Sequence, residues 1–216
     1  LTWGTTTTFV YTGNAQGPSI TNVSVTYGTP SSTESRTYAV SGNSLTFKGV
    51  KDSETLTFGL AHYTEINAGN YTAEVTGWEI TGTNEAGDTQ SANYSVSVTS
   101  TVDYTINKSN LTWTYSSASI DKVYDATSNA VGLSTANVSF TSTNGGAKNP
   151  SISSITGNYK SGNDFVTAVG EDYTVVLTLA LTSASLNNYS LQSNTANYSG
   201  DITRRGIDIT LNASTK

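Results

Sequence analysis

Tyr71-Thr72-Ala73-Glu74-Val75 alternates apolar and polar side chains with a period of two. In an extended chain successive side chains point to opposite faces, so Tyr71, Ala73 and Val75 share one face while Thr72 and Glu74 share the other. The scheme returns in Tyr94-Ser95-Val96-Ser97-Val98, Tyr104-Thr105-Ile106, Val138-Ser139-Phe140 and Tyr173-Thr174-Val175. Thr, Tyr and Val form strands readily, because branched and aromatic side chains pack well on a pleated surface. One buried face and one solvated face suit an antiparallel sheet. Turn chemistry separates the runs at Gly13-Asn14, Ser41-Gly42-Asn43, Asn144-Gly145-Gly146 and Ser161-Gly162-Asn163-Asp164. No long segment carries a helical period, and a short helical turn is expected near residues 183–187. The chain therefore reads as all-β.

Composition narrows the chemistry. The chain has 216 residues, 35% hydrophobic and 12% charged, with no Cys, no Met and one His. Charged residues usually make up about 25% of a soluble domain; here Ser, Thr and Asn take their place. The 10% aromatic content argues against disorder. Without Cys there is no disulfide framework, thiolate nucleophile or zinc-finger site. A net charge of −6 and a pI near 4.6 disfavour nucleic acid and anionic membranes. The longest apolar stretch, Val175-Val176-Leu177-Thr178-Leu179-Ala180-Leu181, is far short of the ~20 residues that cross a bilayer, so no membrane insertion is expected. The chain opens at Leu1 with no signal-peptide pattern and reads as a segment of a longer protein.

An internal repeat organises the chain. Leu1-Thr2-Trp3 returns as Leu111-Thr112-Trp113, and Val10-Tyr11-Thr12-Gly13 as Val123-Tyr124-Asp125-Ala126. Gly69-Asn70-Tyr71-Thr72 aligns with Glu171-Asp172-Tyr173-Thr174, and Asn93-Tyr94-Ser95-Val96 with Asn188-Tyr189-Ser190-Leu191. Tyr104-Thr105-Ile106-Asn107-Lys108 aligns with Gly200-Asp201-Ile202-Thr203-Arg204. A repeat of about 100 residues means tandem domains rather than a short-period solenoid. The reading is two small β modules, sandwich or β-grasp-like, arranged end to end. They span residues 1–108 and 109–205. Residues 206–216 read as the first strand of a following repeat or a C-terminal extension, because Ile207-Asp208-Ile209-Thr210-Leu211 alternates as Leu111-Thr112-Trp113-Thr114-Tyr115 does. No Pro- or Gly-rich linker separates the modules, which favours a semi-rigid rod.

A family resemblance rests on these same motifs. Asp121-Lys122-Val123-Tyr124-Asp125-Ala126-Thr127, then Asn187-Asn188-Tyr189-Ser190-Leu191 and Ile202-Thr203-Arg204, make the second module resemble the bacterial YDG-type adhesin repeat. Ala126 departs from that pattern where Gly is usual. The first module resembles the related MBG-type repeat through Phe9 to Pro18, Ala68-Gly69-Asn70-Tyr71-Thr72-Ala73 and Asn93-Tyr94-Ser95-Val96. The resemblance implies tandem extracellular β modules of a large secreted or surface-anchored bacterial adhesin, at the cell surface. It implies neighbouring repeats as partners and supplies no catalytic residues. Without it, Tyr11 and Tyr124 read as half-buried strand tyrosines. Gly13 and Gly69 read as suppliers of turn conformations, and Asn70, Asn93 and Asn188 as side chains bonding turn backbone.

Candidate chemical sites are few. His62 is the sole imidazole base, and no Gly-x-Ser-x-Gly elbow accompanies it, so it reads as structural and the chain as no enzyme. No cofactor is expected. Calcium is the one metal with plausible oxygen donors, in Asn84-Glu85-Ala86-Gly87-Asp88, Gly162-Asn163-Asp164 and Glu171-Asp172, yet none has EF-hand spacing and ordinary acidic turns are expected. Lys48 and Lys122 lie in strand-like contexts, but no spacing singles out an isopeptide triad with Asn and an acid. Trp and Tyr can stack on sugar faces, so a carbohydrate- or glycoprotein-binding module, engaging a host or bacterial surface glycan or protein, is the alternative function. Trp3 and Trp113 recur at equivalent positions and read as core. Trp78 has no counterpart and is the ligand-surface candidate.

Overall fold

The computed structural model describes residues 1–27, 32–49, 54–82, 96, 98, 100–117 and 119–210. The acidic turn at 84–88, the strand motif at 93–95 and Leu211 lie outside these. The chain divides into two compact units, Leu1–Lys108 and Ser109–Lys216.

In the first unit the strands are β1 (Thr2–Trp3), β2 (Thr8–Val10), β3 (Ile20–Asn22), β4 (Ser24–Tyr27), β5 (Ser32–Ser35), β6 (Tyr38–Ser41), β7 (Ser44–Lys48), β8 (Thr55–Ala61), β9 (Gly69–Thr81) and β10 (Thr101–Asn107). Six of them form one sheet in the order β2-β10-β9-β8-β7-β6, antiparallel except where β2 joins β10. Two further ribbons among the described residues are β1-β3 and β4-β5. Leu45, Phe47, Leu56, Phe58 and Leu60, on one face of the large sheet, pack with Ile20 and Val23 as a buried core. Phe47 and Phe58 stack with ring centroids 5.4 Å apart. The opposite face carries the polar half of the alternation: Thr72 Oγ1 donates to Asp103 Oδ1 (2.6 Å), and Thr105 Oγ1 to Asn70 Oδ1 (2.8 Å). Asn70 thus bonds across strands rather than to a turn.

One glycine interrupts the alternation. Phe58 pairs with Trp78 but Gly59 pairs with Thr76, so Gly77, at φ +50°, is an extra residue in β9. Such a bulge shifts every later side chain to the other face. Trp78 and Ile80 consequently lie on the same face as the buried Phe58 and Leu56.

In the second unit the strands are β11 (Ser109–Tyr115), β12 (Lys122–Val123), β13 (Val138–Ser142), β14 (Ile152–Ser161), β15 (Asp164–Phe165), β16 (Gly170–Leu181), β17 (Tyr189–Leu191) and β18 (Thr195–Thr203). A three-stranded sheet, β13-β11-β17, and a five-stranded sheet, β12-β18-β16-β14-β15, enclose one core. Trp113 and Tyr115 come from the first, and Tyr159, Val175, Leu177, Leu179 and Ile202 from the second. This is a β-sandwich. Among the described residues a 3₁₀ turn covers Thr135–Asn137 and the α-helix is the short α1 (Ser183–Asn188), capped by Thr182 Oγ1, which accepts the Ser185 N–H at 3.3 Å. It falls where a helical turn was expected, and the sandwich rather than the β-grasp alternative describes this unit.

The repeat in sequence is a repeat in structure. Phe9 and Val10 pair in parallel with Ile106 and Asn107, and Lys122 and Val123 pair in parallel with Ile202 and Thr203. The turn that follows is also shared. Gly13 and Ala126 both adopt left-handed backbone, with φ of +84° and +63°. Thr12 Oγ1 accepts the Asn14 N–H (3.3 Å), as Asp125 Oδ1 accepts the Thr127 N–H (2.9 Å). Gln16 then bridges to Glu65, and Asn129 to Asn158.

Three expectations are corrected. Gly69 pairs with Ile106 as Gly170 pairs with Ile202, so the counterpart of Gly69 is Gly170, one residue before the aligned Glu171. Asp172, at φ +56°, is the residue inserted there. Neither glycine has positive φ: a Cβ on Gly69 would lie 3.0 Å from the Tyr71 hydroxyl, and one on Gly170 would collide with that of Tyr173. The tyrosine ring folded back over the backbone excludes a side chain, not the turn. Tyr124 is exposed rather than half-buried. Residues 206–210 have no strand partner among the described residues, and Ile207 and Ile209 are 82% and 80% exposed, as fits either a C-terminal extension or the first strand of a following repeat.

Candidate functional site

The densest polar constellation among the described residues is the turn that carries the second unit's motif. Lys122 enters β12 opposite Ile202, a position that Phe9 fills in the first unit. Its side chain is 0% exposed. A buried ammonium is stable only when its protons are matched. Lys122 Nζ donates to Asp125 Oδ1 (2.6 Å), Thr127 O (2.5 Å), Thr127 Oγ1 (3.2 Å) and Asn129 O (3.0 Å). It also lies 5.4 Å from the centroid of the Tyr159 ring. Asp125 Oδ1 accepts the Thr127 N–H and hydroxyl, each at 2.9 Å. These donors, Lys122 foremost, hold the Asp125 carboxyl down at about 2.

Below this turn lies Tyr159, fully buried, whose hydroxyl donates to Ile120 O. Burial, then the carboxylates of Asp121, Asp201 and Asp125, push the phenol up to about 12. Asp121 Oδ1 accepts the Ser119 hydroxyl and the Asp201 N–H (2.9 Å), and both bonds lower its carboxyl. Gly200 lets this loop close: a Cβ there would collide with Ile120 O. Residues 127–130 then form a strap on β14, fixed by the Tyr159 N–H to Ser128 O (2.8 Å) and the Ala130 N–H to Gly157 O (2.9 Å).

This arrangement locks a loop. Amide formation between Lys122 and Asp125 would need a neutral amine and a protonated carboxyl, with loss of water. The carboxyl here is held ionised against the ammonium, so the pair is an ion pair.

The remaining candidates are dispersed. His62 follows β8 with left-handed backbone, φ +48°, and its Nδ1 meets Glu65 Oε1 at 2.7 Å. Its carbonyl accepts the Tyr104 hydroxyl (3.0 Å), and its ring lies 6.2 Å from Tyr71. The imidazole thus faces a carboxylate and a phenol ring, not a serine hydroxyl. Trp113 is core, its Nε1 donating to Ser193 O (2.9 Å). Trp3 packs half-buried on the first core, 6.3 Å from Tyr63. Trp78 is 38% exposed, directly across from Phe58. Lys48 Nζ donates to Thr55 Oγ1 (3.4 Å).

Two shallow depressions sit beside the last strands of the units. One, about 360 Å³, is lined by Thr8, Asn70, Thr72, Asp103 and Thr105. The other, about 710 Å³, is lined by Val169, Glu171, Asp201, Thr203 and Arg204. Trp78 lines neither. Of the acidic turns, Gly162-Asn163 closes the β14-β15 hairpin, and Asp172 donates its N–H to Asp201 Oδ1 (2.9 Å). Among the described residues no group of three or more His, Asp or Glu side chains is placed to hold a metal ion. No described helix is long and apolar enough to cross a membrane.

Sequence reasoning placed Lys122 in a strand but missed its burial. The available signal was Lys122-x-x-Asp125-x-Thr127 followed by a turn, a spacing that lets one ammonium reach a carboxylate, a hydroxyl and two carbonyls. It also missed Phe165, 63% exposed on edge strand β15, with Lys160 Nζ 4.9 Å from its ring centroid. Comparison with protein-family models, with curated proteins and with solved structures returns no match.

Proposed function

We propose that this chain is a pair of extracellular repeat modules of a large bacterial surface adhesin, acting as a semi-rigid stalk or spacer with weak adhesive contacts along its length. One observation carries the reading: the same frame is built twice. In each unit an early edge strand closes in parallel on the last strand, followed by the same left-handed turn. Lys108 alone separates β10 from β11, which leaves few free torsions at the junction. The polar constellations are spent on fixing loops, as a spacer requires. Its partners are neighbouring repeats.

Small-angle scattering on the whole chain tests this. An elongated particle with a narrow length distribution is the expected result. A compact particle, or a broad distribution typical of a flexible joint, would defeat the stalk reading. The glycan-binding alternative places Trp78 on a ligand face; a glycan array, read with and without Trp78→Ala, decides between the two.

A further inference from the structure

The turn between β13 and β14 holds the chain's Asn-Gly dipeptide, Asn144-Gly145, and no other Asn in the sequence is followed by Gly. We propose that Asn144 is a site of self-catalysed deamidation, promoted by the native fold.

Three observations meet there. Gly145 is exposed, at φ +79°, with open space where a Cβ would be. Its N–H makes no hydrogen bond among the described residues. Asn144 Oδ1 accepts two hydrogen bonds, from the Asn110 N–H and from the Ser142 hydroxyl, each at 3.1 Å. Donors aimed at an amide oxygen stabilise the negative charge that grows on it when a nucleophile adds to the carbon. The Ser142 hydroxyl is itself held, accepting the Gly146 N–H at 2.9 Å. The two donors are thus preorganised around the oxygen that must become an oxyanion.

The step balances without any group beyond water. Gly145 N loses its proton to solvent and attacks Asn144 Cγ, forming a C–N bond. The bond from Cγ to Nδ2 breaks, the nitrogen takes up a proton, and ammonia leaves a five-membered succinimide. Water then opens either carbonyl, giving an aspartyl or an isoaspartyl link. The net change exchanges one NH for one O and adds a negative charge. The isoaspartyl product inserts a methylene into the backbone and withdraws the acceptor from Asn110, whose N–H it holds at the start of β11. Such a site records the age of a protein that outlives its synthesis.

The test incubates the intact chain in mildly alkaline buffer, natively and in denaturant, and follows position 144 by peptide mapping and isoaspartyl methyl-transfer labelling. Position 144 should convert first among the asparagines, and faster in the folded chain than in the unfolded one. Ser142→Ala should slow the native rate about fivefold, the factor one neutral hydrogen bond is worth, and leave the denatured rate unchanged. Gly145→Ala should suppress conversion in both states. A native rate at or below the denatured rate would overturn the proposal, as would earlier conversion elsewhere. Equal native rates for the parent chain and a folded Ser142→Ala would remove the donors from the account.

Discussion

Replacing Lys122 by Met keeps the aliphatic stem beside Tyr159 and removes only the ammonium. The cost follows from what the ammonium leaves behind. Thr127 O and Asn129 O, which accept from Nζ at 2.5 and 3.0 Å, lose that donor inside the strap on β14. Both bonds are part-buried, and a carbonyl there stripped of its donor costs about 1–3 kcal/mol, taken as about 1.5 kcal/mol each. Asp125 is 36% exposed and regains water, so its loss is left out of the sum. The expected destabilisation of the second unit is about 3 kcal/mol. For a domain of this size that lowers Tm by roughly 12–24 °C, taking about 4–8 °C per kcal/mol. Calorimetry should show one transition falling while the transition of the first unit, with its own core, stays in place. Hydrogen exchange should lose protection at the Ala130 and Tyr159 amides, which bond the strap to β14. A loss below about 1 kcal/mol, the range of a surface ion pair, would refute the reasoning and make Lys122 a solvated charge.

Other outcomes follow from the same geometry. Asp125 titrates at about 2 when folded, below its ordinary value, so its stabilisation is present above about pH 4 and is lost as pH falls toward 2. Acid titration of the parent chain should show that loss, and Lys122→Met should flatten it. Tyr159 is raised to about 12, so its stabilisation is complete below about pH 10 and disappears as pH climbs through 12. Tyr159→Phe should cost about 1–2 kcal/mol at neutral pH, by stranding Ile120 O, and should blunt the alkaline transition of the second unit. Ala126→Gly should stabilise by about 0.5–1 kcal/mol in urea denaturation, since relief of left-handed strain (about 1–2 kcal/mol) exceeds the added chain entropy (about 0.5–1 kcal/mol). Gly200→Ala should destabilise by about 3 kcal/mol, since neither β18 nor the Ile120 backbone can yield to the new Cβ; unchanged stability would mean the loop is free to move.

Much of the fold is legible in the residues. The run from Tyr71 to Val75 alternates as read, with Ala73 fully buried and Thr72 and Glu74 exposed, and the repeated motifs mark the parallel closure of both units. What escapes is whatever one extra residue does to a period of two. Gly77 and Asp172 each add a residue to a strand, so alternation carried past them assigns the wrong face, and Trp78 ends up opposite Phe58. The site was harder to read. Lysine is almost never fully buried unless paired, and nothing local says that the acceptors of Lys122 arrive from residues 127 and 129. Alternation alone also could not say that Ile207 and Ile209 have no strand partner among the described residues, because a strand requires a neighbour that the pattern does not name.

The parallel closure of each unit has a mechanical side. In the second unit β11 lies between the junction and β12, so a pull on the chain ends reaches β12 only once β11 has been drawn from β13 and β17, and it leaves beyond β18. Because the two strands run in parallel, that pull slides one along the other instead of peeling them open. The bonds that bracket the pair, from Ile120 N–H to Ser199 O (3.0 Å) and from Tyr124 N–H to Thr203 O (2.8 Å), are then loaded together. In the first unit the Thr105 N–H to Thr7 O (2.9 Å) and the Tyr11 N–H to Asn107 O (2.8 Å) stand in the same relation. Each parallel pair is thus a shear clamp behind the module's first strand: once β1 or β11 has yielded, further extension must rupture several bonds at once.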